Sequence, residues 1–181
     1  MFHDKIFVSN IKISLRVLAK RCYLHKLCSA LKPTKQNESF FVHRKNGLVY
    51  CIYFTGHVNV TGIKKQIDVT HAICYLKLFS GIQAVFVKSL DNITCTAKLH
   101  KHFYSWKQTF STYLKQISKV SNNIYRIQYS PQVFPGAFLK AKHLGTIVFF
   151  ATGKFNIVGC KSFVQIAETV ILFIKQLRQL Q

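Results

Sequence analysis

Residues 37–65 recur at residues 134–162, a shift of 97 with no gap. NESFFVHRKNGLVYCIYFTGHVNVTGIKK lies over FPGAFLKAKHLGTIVFFATGKFNIVGCKS. Seven of these 29 positions are identical: Phe41/Phe138, Lys45/Lys142, Thr55/Thr152, Gly56/Gly153, Asn59/Asn156, Gly62/Gly159 and Lys64/Lys161. Average composition gives about two identities by chance. The chain is therefore a duplication, and its 181 residues divide into two half-domains, one over 5–81 and one over 82–181.

Each copy reads as strands followed by a helix. Residues 40–44 and 48–54 are short β-rich runs around Asn46-Gly47, a dipeptide that favours a two-residue hairpin turn. The next strand, 57–61, alternates: Val58 and Val60 face one way, His57, Asn59 and Thr61 the other. In the second copy Phe155 and Ile157 oppose Lys154, Asn156 and Val158. After Gly62, Ile67, Thr70, Ile73 and Leu76 mark a helical stripe; after Gly159, Val164, Ala167, Val170 and Phe173 repeat it. An antiparallel sheet with helix on one face and a free, largely polar opposite face follows for each copy, an α+β fold.

Charge gives that free face a purpose. Twenty-six Lys and Arg stand against five acids (Asp4, Glu38, Asp68, Asp91 and Glu168), a net charge of +21. A surface so basic repels itself and calls for a polyanion. Nucleic acid fits better than a membrane, because the longest apolar run, 146–151, is far shorter than the ~18 residues of a spanning helix. The N-terminus lacks the apolar stretch and cleavage site of a secretory signal. The six cysteines contain no C-x-x-C pair and read as buried free thiols in a reducing compartment. His100 and His102 sit in a lysine-rich stretch suited to a solvated loop, so no metal or cofactor is expected. Five scattered acids offer no acid–base pair and no nucleophile motif, which argues against an enzyme.

The second copy carries a resemblance. Tyr129-Ser130-Pro131-Gln132-Val133-Phe134-Pro135-Gly136 resembles the Y-E-P-E-L-F-P-G segment of TATA-box-binding proteins. Phe149-Phe150-Ala151-Thr152-Gly153-Lys154 is similar to that family's I-F-x-S-G-K, and FNIVGCK (155–161) follows its I-V-L-T-G-A-K. IYFTGHVNVTGIK (52–64) resembles the corresponding segment of the first copy, and Asn10-Ile11 and Asn92-Ile93 match the family's paired N-I strand starts.

The resemblance implies a saddle of two pseudo-symmetric repeats: a curved antiparallel sheet with helices on its convex face and DNA in its concave one. In TATA-binding protein itself, phenylalanines wedge between base steps in the minor groove. Phe134 and Phe150 match one wedge pair. Tyr53 stands at a position of the other, whose gap-free partner is Asn37. Asn10 and Asn92 match the asparagines that donate to minor-groove acceptors, Lys154 the S-G-K lysine, and Thr61 and Val158 the threonine pair. Two small apolar floor positions become Asn59 and Asn156, which offer a donor to adenine N3 and thymine O2 and an acceptor to the guanine amino group.

The family's two glutamates that meet transcription factor IIB are Ser130 and Gln132 here. About eleven extra residues fall between Asn92 and Phe134, with 106–120 reading as a basic amphipathic helix in an insertion near 100–125. The expected partners are double-stranded DNA at A·T-rich promoter-like sites, a factor IIB-like protein and RNA polymerase machinery, with no membrane. The expected place is the nucleus, or a viral replication compartment, since short length, few acids and divergence suit a large DNA virus. The alternative is a decoy, architectural or packaging protein that occupies DNA without starting transcription.

Overall fold

Asn46 and Gly47 both adopt the left-handed backbone, with φ of 50° and 78°. They close the hairpin that their sequence announces. Around it the computed structural model, which describes residues 6–99, 109–121 and 124–180, builds fourteen elements. In chain order they are β1 (Phe7–Leu18), α1 (Arg21–Leu31), β2 (Lys35–Gln36), β3 (Phe40–Lys45), β4 (Leu48–Tyr53), β5 (His57–Ile63) and α2 (Gln66–Lys77). The second half follows with β6 (Ala84–Lys98), α3 (Phe110–Val120), β7 (Arg126–Gln128), β8 (Gly136–Lys140), β9 (Thr146–Phe150), β10 (Lys154–Cys160) and α4 (Phe163–Arg178).

The chain forms two compact units, Asn10–Asp91 and Asn92–Gln181, the latter including the N-terminal residues up to Ser9. The long strands β1 and β6 each pass from one unit into the other. Within Asn10–Asp91 the strand order is β2-β3-β4-β5-β1-β6; within the second unit it is β1-β6-β10-β9-β8-β7. All the pairings with a defined register are antiparallel.

Each unit has its own core. In the first, Ile13, Leu15 and Val17 of β1 and Val58 and Val60 of β5 are buried with Ala72 and Leu76 of α2. On the same side His43 of β3 bonds the Tyr75 hydroxyl of α2 at 2.7 Å. In the second unit, Phe149 and Phe155 each stack edge-on against Phe173 of α4, both at 5.3 Å. The expected alternation therefore holds in β5 and β10.

The helical stripes do not hold as expected. Ile67 is 52% and Val164 67% exposed, and Thr70 and Ala167 are also exposed. In α4 the buried positions are Ile166, Thr169, Phe173, Gln176 and Leu177. A strict three-residue step falls about 60° behind the α-helix each time, so residues nine apart lie on opposite faces. Leu76 and Phe173 are inside, and that places Ile67 and Val164 outside. Helix α3 begins at Phe110 and buries Phe110, Tyr113, Leu114 and Ile117. The earlier part of the expected 106–120 helix, with His100 and His102, lies outside the described residues.

Three cysteines, Cys28, Cys95 and Cys160, are buried thiols, but Cys22 and Cys74 are exposed. Among the described residues no cluster of His, Cys, Asp or Glu is arranged to hold a metal ion. No helix there is long and apolar enough to cross a membrane.

The two main helices start alike. Asp68 accepts from the backbone N–H groups of Lys64 and Lys65 at 2.8 and 3.0 Å, and Gln165, at the repeat-related position, accepts from Lys161 N–H at 2.8 Å. Those two backbone bonds hold the Asp68 carboxyl below its usual range. Its contribution is present above the ordinary carboxylate pKa and lost as pH falls through the depressed value. Denaturant melts at neutral and strongly acid pH should show Asp68→Ala costing stability at neutral pH, with the difference from the parent vanishing in acid.

Candidate nucleic-acid interface

Strand register decides which side chains look away from the helices. In Asn10–Asp91, β1 pairs with β5 so that Ser14 lies across from Asn59 and Arg16 from His57. β4 pairs Cys51 with Asn59 and Val49 with Thr61, and β3 pairs Phe40 with Tyr53 and Arg44 with Val49. Their neighbours in sequence are the core residues, so these side chains share the opposite face. In the second unit the same logic places Thr96 and Lys98 of β6 with Asn156 and Lys154 of β10. Thr146, Val148, Phe150, Phe138 and Lys140 join them. Both faces carry basic residues, among them Lys12, Arg16 and Arg44 in one unit and Lys140 and Lys154 in the other.

Asn10 and Asn92 are held by matching clasps. The Gly62 N–H donates to Asn10 Oδ1 at 2.6 Å, and the Gly159 N–H donates to Asn92 Oδ1 at 2.9 Å. Both glycines need the left-handed backbone, with φ of 91° and 84°. The clasps occupy the carbonyl side of each amide and leave the NH₂ side as the outward-acting group, weakly tied in Asn92 to Thr94 Oγ1 at 3.4 Å. A donor held in this way suits the acceptors of the minor groove, adenine N3 and thymine O2.

Phe134 and Phe150 meet edge to face at 5.9 Å, and Phe138 lies 5.3 Å from Phe134. Phe134 and Phe138 remain 37% and 38% exposed. The cluster depends on Gly136, which pairs with Phe150. A Cβ there would sit 2.7 Å from Phe134 and 2.9 Å from Phe150. Phe138 is an aromatic of this face that sequence reasoning passed over, because its alignment with the buried Phe41 hid its exposure.

That misreading has a definite origin. Tyr53 lies across from Phe40, whereas Phe150 lies across from Gly136. The strand before the hairpin is thus one residue out of step with the repeat, and the identity of Phe41 with Phe138 is accidental. Asn37 is not the partner of Tyr53. Its side chain instead accepts from the Ser39 and Phe40 N–H groups, both at 2.9 Å, and shapes the turn into β3. The aromatic beside Tyr53 is Phe40, with ring centroids 5.3 Å apart. Each unit therefore presents an aromatic pair. Phe40→Ala should reduce DNA bending as much as Tyr53→Ala, measured by fluorescence energy transfer between duplex ends, and an unaffected Phe40→Ala would refute the pairing.

The two floor asparagines differ. The Asn59 Oδ1 atom accepts from Ser14 Oγ at 3.0 Å and meets His57 Nε2 at 2.9 Å. The same Ser14 hydroxyl is shared with the Asp91 carboxylate, which lies closer at 2.6 Å. The Tyr53 hydroxyl is close by, its pKa raised by the Cys51 thiol and by burial against an opposing bond from Asn59. Asn156, across from Thr96 and Val148, has no such network among the described residues. Thr61 lies across from Val49 and Val158 across from Thr146, both half-buried. Lys154 is exposed directly across from Lys98, and like charges in that position gain from a shared anion.

Comparisons with known proteins agree with this geometry. The family model described as "Transcription factor TFIID (or TATA-binding protein, TBP)" matches residues 88–180. The solved structure of Methanococcus jannaschii TBP is similar over 97% of this chain and 99% of its own, with a TM-score of 0.74 and 17% identity, which establishes a common fold. Two further structures carry no argument. Sarcosine oxidase from Corynebacterium sp. U-96 is 11% identical over 97% of this chain and 83% of that one, with a TM-score of 0.37. The aspartate kinase regulatory subunit of Thermus flavus is 7% identical over 97% and 95%, with a TM-score of 0.25. No curated protein sequence matches significantly. The chain belongs to the TATA-binding-protein family of non-enzymatic DNA-binding transcription factors.

Proposed function

We propose that the chain binds the minor groove of promoter DNA through its open sheet faces, bends the duplex by aromatic insertion and helps to start transcription. The observation that carries this reading is the cluster of Phe134, Phe138 and Phe150, which stands part-exposed on a basic strand face rather than in the core. Exposed apolar rings cost solvation and are retained where a partner covers them. Between base steps they unstack and kink the duplex, while lysines and arginines meet the phosphates. Asn10 and Asn92, with their carbonyls clasped, supply donors to groove acceptors. The nucleus is the compartment in which this activity belongs.

Recruitment of a factor IIB-like protein is part of the proposal, but one observation favours a second reading. Ser130 and Gln132, both exposed, stand where the resemblance calls for glutamates. A chain without those charges would occupy DNA without nucleating initiation. Bending and affinity on A·T-rich and G·C-rich duplexes test the binding reading, and no bending of either refutes it. Capture of a factor IIB-like protein on the bent complex, restored or strengthened by Ser130→Glu with Gln132→Glu, separates initiation from occupancy.

A further inference from the structure

Among the described residues, the candidate interface contains four asparagines, Asn10, Asn59, Asn92 and Asn156, and the protein's own groups engage the carbonyl oxygen of three. Asn10 and Asn92 turn theirs to the Gly62 and Gly159 N–H groups and leave the NH₂ outward. Asn59 is held more fully. Its Oδ1 has two lone pairs, and Ser14 Oγ at 3.0 Å and His57 Nε2 at 2.9 Å occupy both approaches. The Asp91 carboxylate fixes Ser14 in place at 2.6 Å and is itself braced by Ser89 Oγ at 2.6 Å and Lys12 at 3.4 Å. The Asn59 NH₂ lies on the other side, toward the Tyr53 hydroxyl. A bond from Asn59 pulls the Tyr53 pKa down against the groups that raise it, as a donor to a phenol oxygen does. Asn59 therefore has no acceptor left for a partner on the open face.

Asn156 differs. It is half-buried between Thr96 and Val148 on the two neighbouring strands, and among the described residues its side chain has no hydrogen-bond partner. Thr96 stands where the first unit has Ser14, and Lys154 where it has His57. Neither holds the amide. A free amide can present its donor to adenine N3 or thymine O2, or its acceptor to a guanine amino group.

Among base edges in the minor groove, only the guanine N2 amino group is a donor. Covered by protein that offers no acceptor, it loses its water and stays unpaired, which weakens binding by about tenfold. We infer that Asn156, alone of the four asparagines, accepts from a guanine amino group, so the part of the target under residues 92–181 admits a G·C pair where the part under Asn59 refuses one. The two repeat-related asparagines thus do different work. Asn59 braces the Tyr53 side of its own face, and Asn156 sets which base pairs the second unit tolerates.

The inference rests on the minor-groove reading, and the test separates the two. In otherwise A·T duplexes a G·C pair is placed at each position in turn and compared, by competition binding, with inosine·C, which lacks only the N2 amino group. Taking the ratio within one protein cancels differences of charge and general fit. Asn156→Val should create a position where guanine is bound about tenfold more weakly than inosine, although the parent binds the two within about twofold there. Asn156→Asp, which keeps an acceptor, should leave that position at the parental ratio, and Asn59→Val should create no such position. If Asn156→Val melts far below the parent, Asn156→Ala takes its place with the same expected result. Parental ratios throughout, in a folded Asn156→Val protein that still bends the A·T duplex, overturn the inference alone, and so does a new position of equal size from Asn59→Val. Failure of the parent to bind any duplex overturns the minor-groove reading itself.

Discussion

Phe134→Ala combined with Phe150→Ala should give a protein that still binds duplex DNA but no longer bends it. The two rings lie against each other over Gly136, where a side chain would collide with both. Without the rings, the bend and the contacts that it permits are lost together. Affinity for a preferred site should fall to the non-specific range, about 10⁻⁴–10⁻⁶ M at physiological salt. Charge is unchanged, so the salt dependence of what remains should be that of plain phosphate attraction. Gly136→Ala is the subtler control: it leaves both rings but places a methyl group 2.7 Å from one and 2.9 Å from the other. It should reduce the bend without abolishing it. Normal bending in a folded double alanine variant would show that these rings do not enter the duplex.

Affinity should also collapse with salt. A net charge of +21, with basic side chains on both open faces, implies many neutralised phosphates and a matching release of counterions. For roughly six to ten phosphate contacts, binding weakens about 10³- to 10⁵-fold between 50 and 200 mM salt. Replacing Lys154, Arg16 or Arg44 by Ala should each lower the log–log slope by about one while leaving sequence preference alone. A shallow slope in the parent protein would be incompatible with a phosphate-tracking surface.

How much of this was legible in the sequence differs by element. The Asn46-Gly47 turn and the alternation in β5 and β10 are local, and each appears in the structure as read; the duplication appears too, but with the strand before the hairpin one residue out of the gap-free register. The helix faces were misread because a three-residue step imitates a stripe over one turn and drifts over three. Phe40 was seen to lie close but was passed over for Asn37, because a one-residue difference in hairpin register shifts a whole strand's partners and a gap-free repeat cannot record it. The Asp91–Ser14–Asn59 chain joins residues 45 and 77 positions apart. No local pattern signals it; it exists only once β1 lies between β5 and β6. The clasps on Asn10 and Asn92 are similar, since the glycines that hold them lie 52 and 67 residues away.

The one-residue slip between β3 and β8 has a consequence for how such a chain evolves. A dimer of identical subunits must express every substitution twice, and its targets are drawn toward palindromes by its own symmetry. A fused pair is free of that bond. Here one half has no side chain at Gly136, so that an aromatic from the preceding loop reaches its neighbour, while the other carries the aromatic on the strand itself at Phe40. Two different solutions to one packing problem mean that the halves have ceased to be copies under common selection. Each can exchange its recognition chemistry without the other's consent, as two genes can after they part.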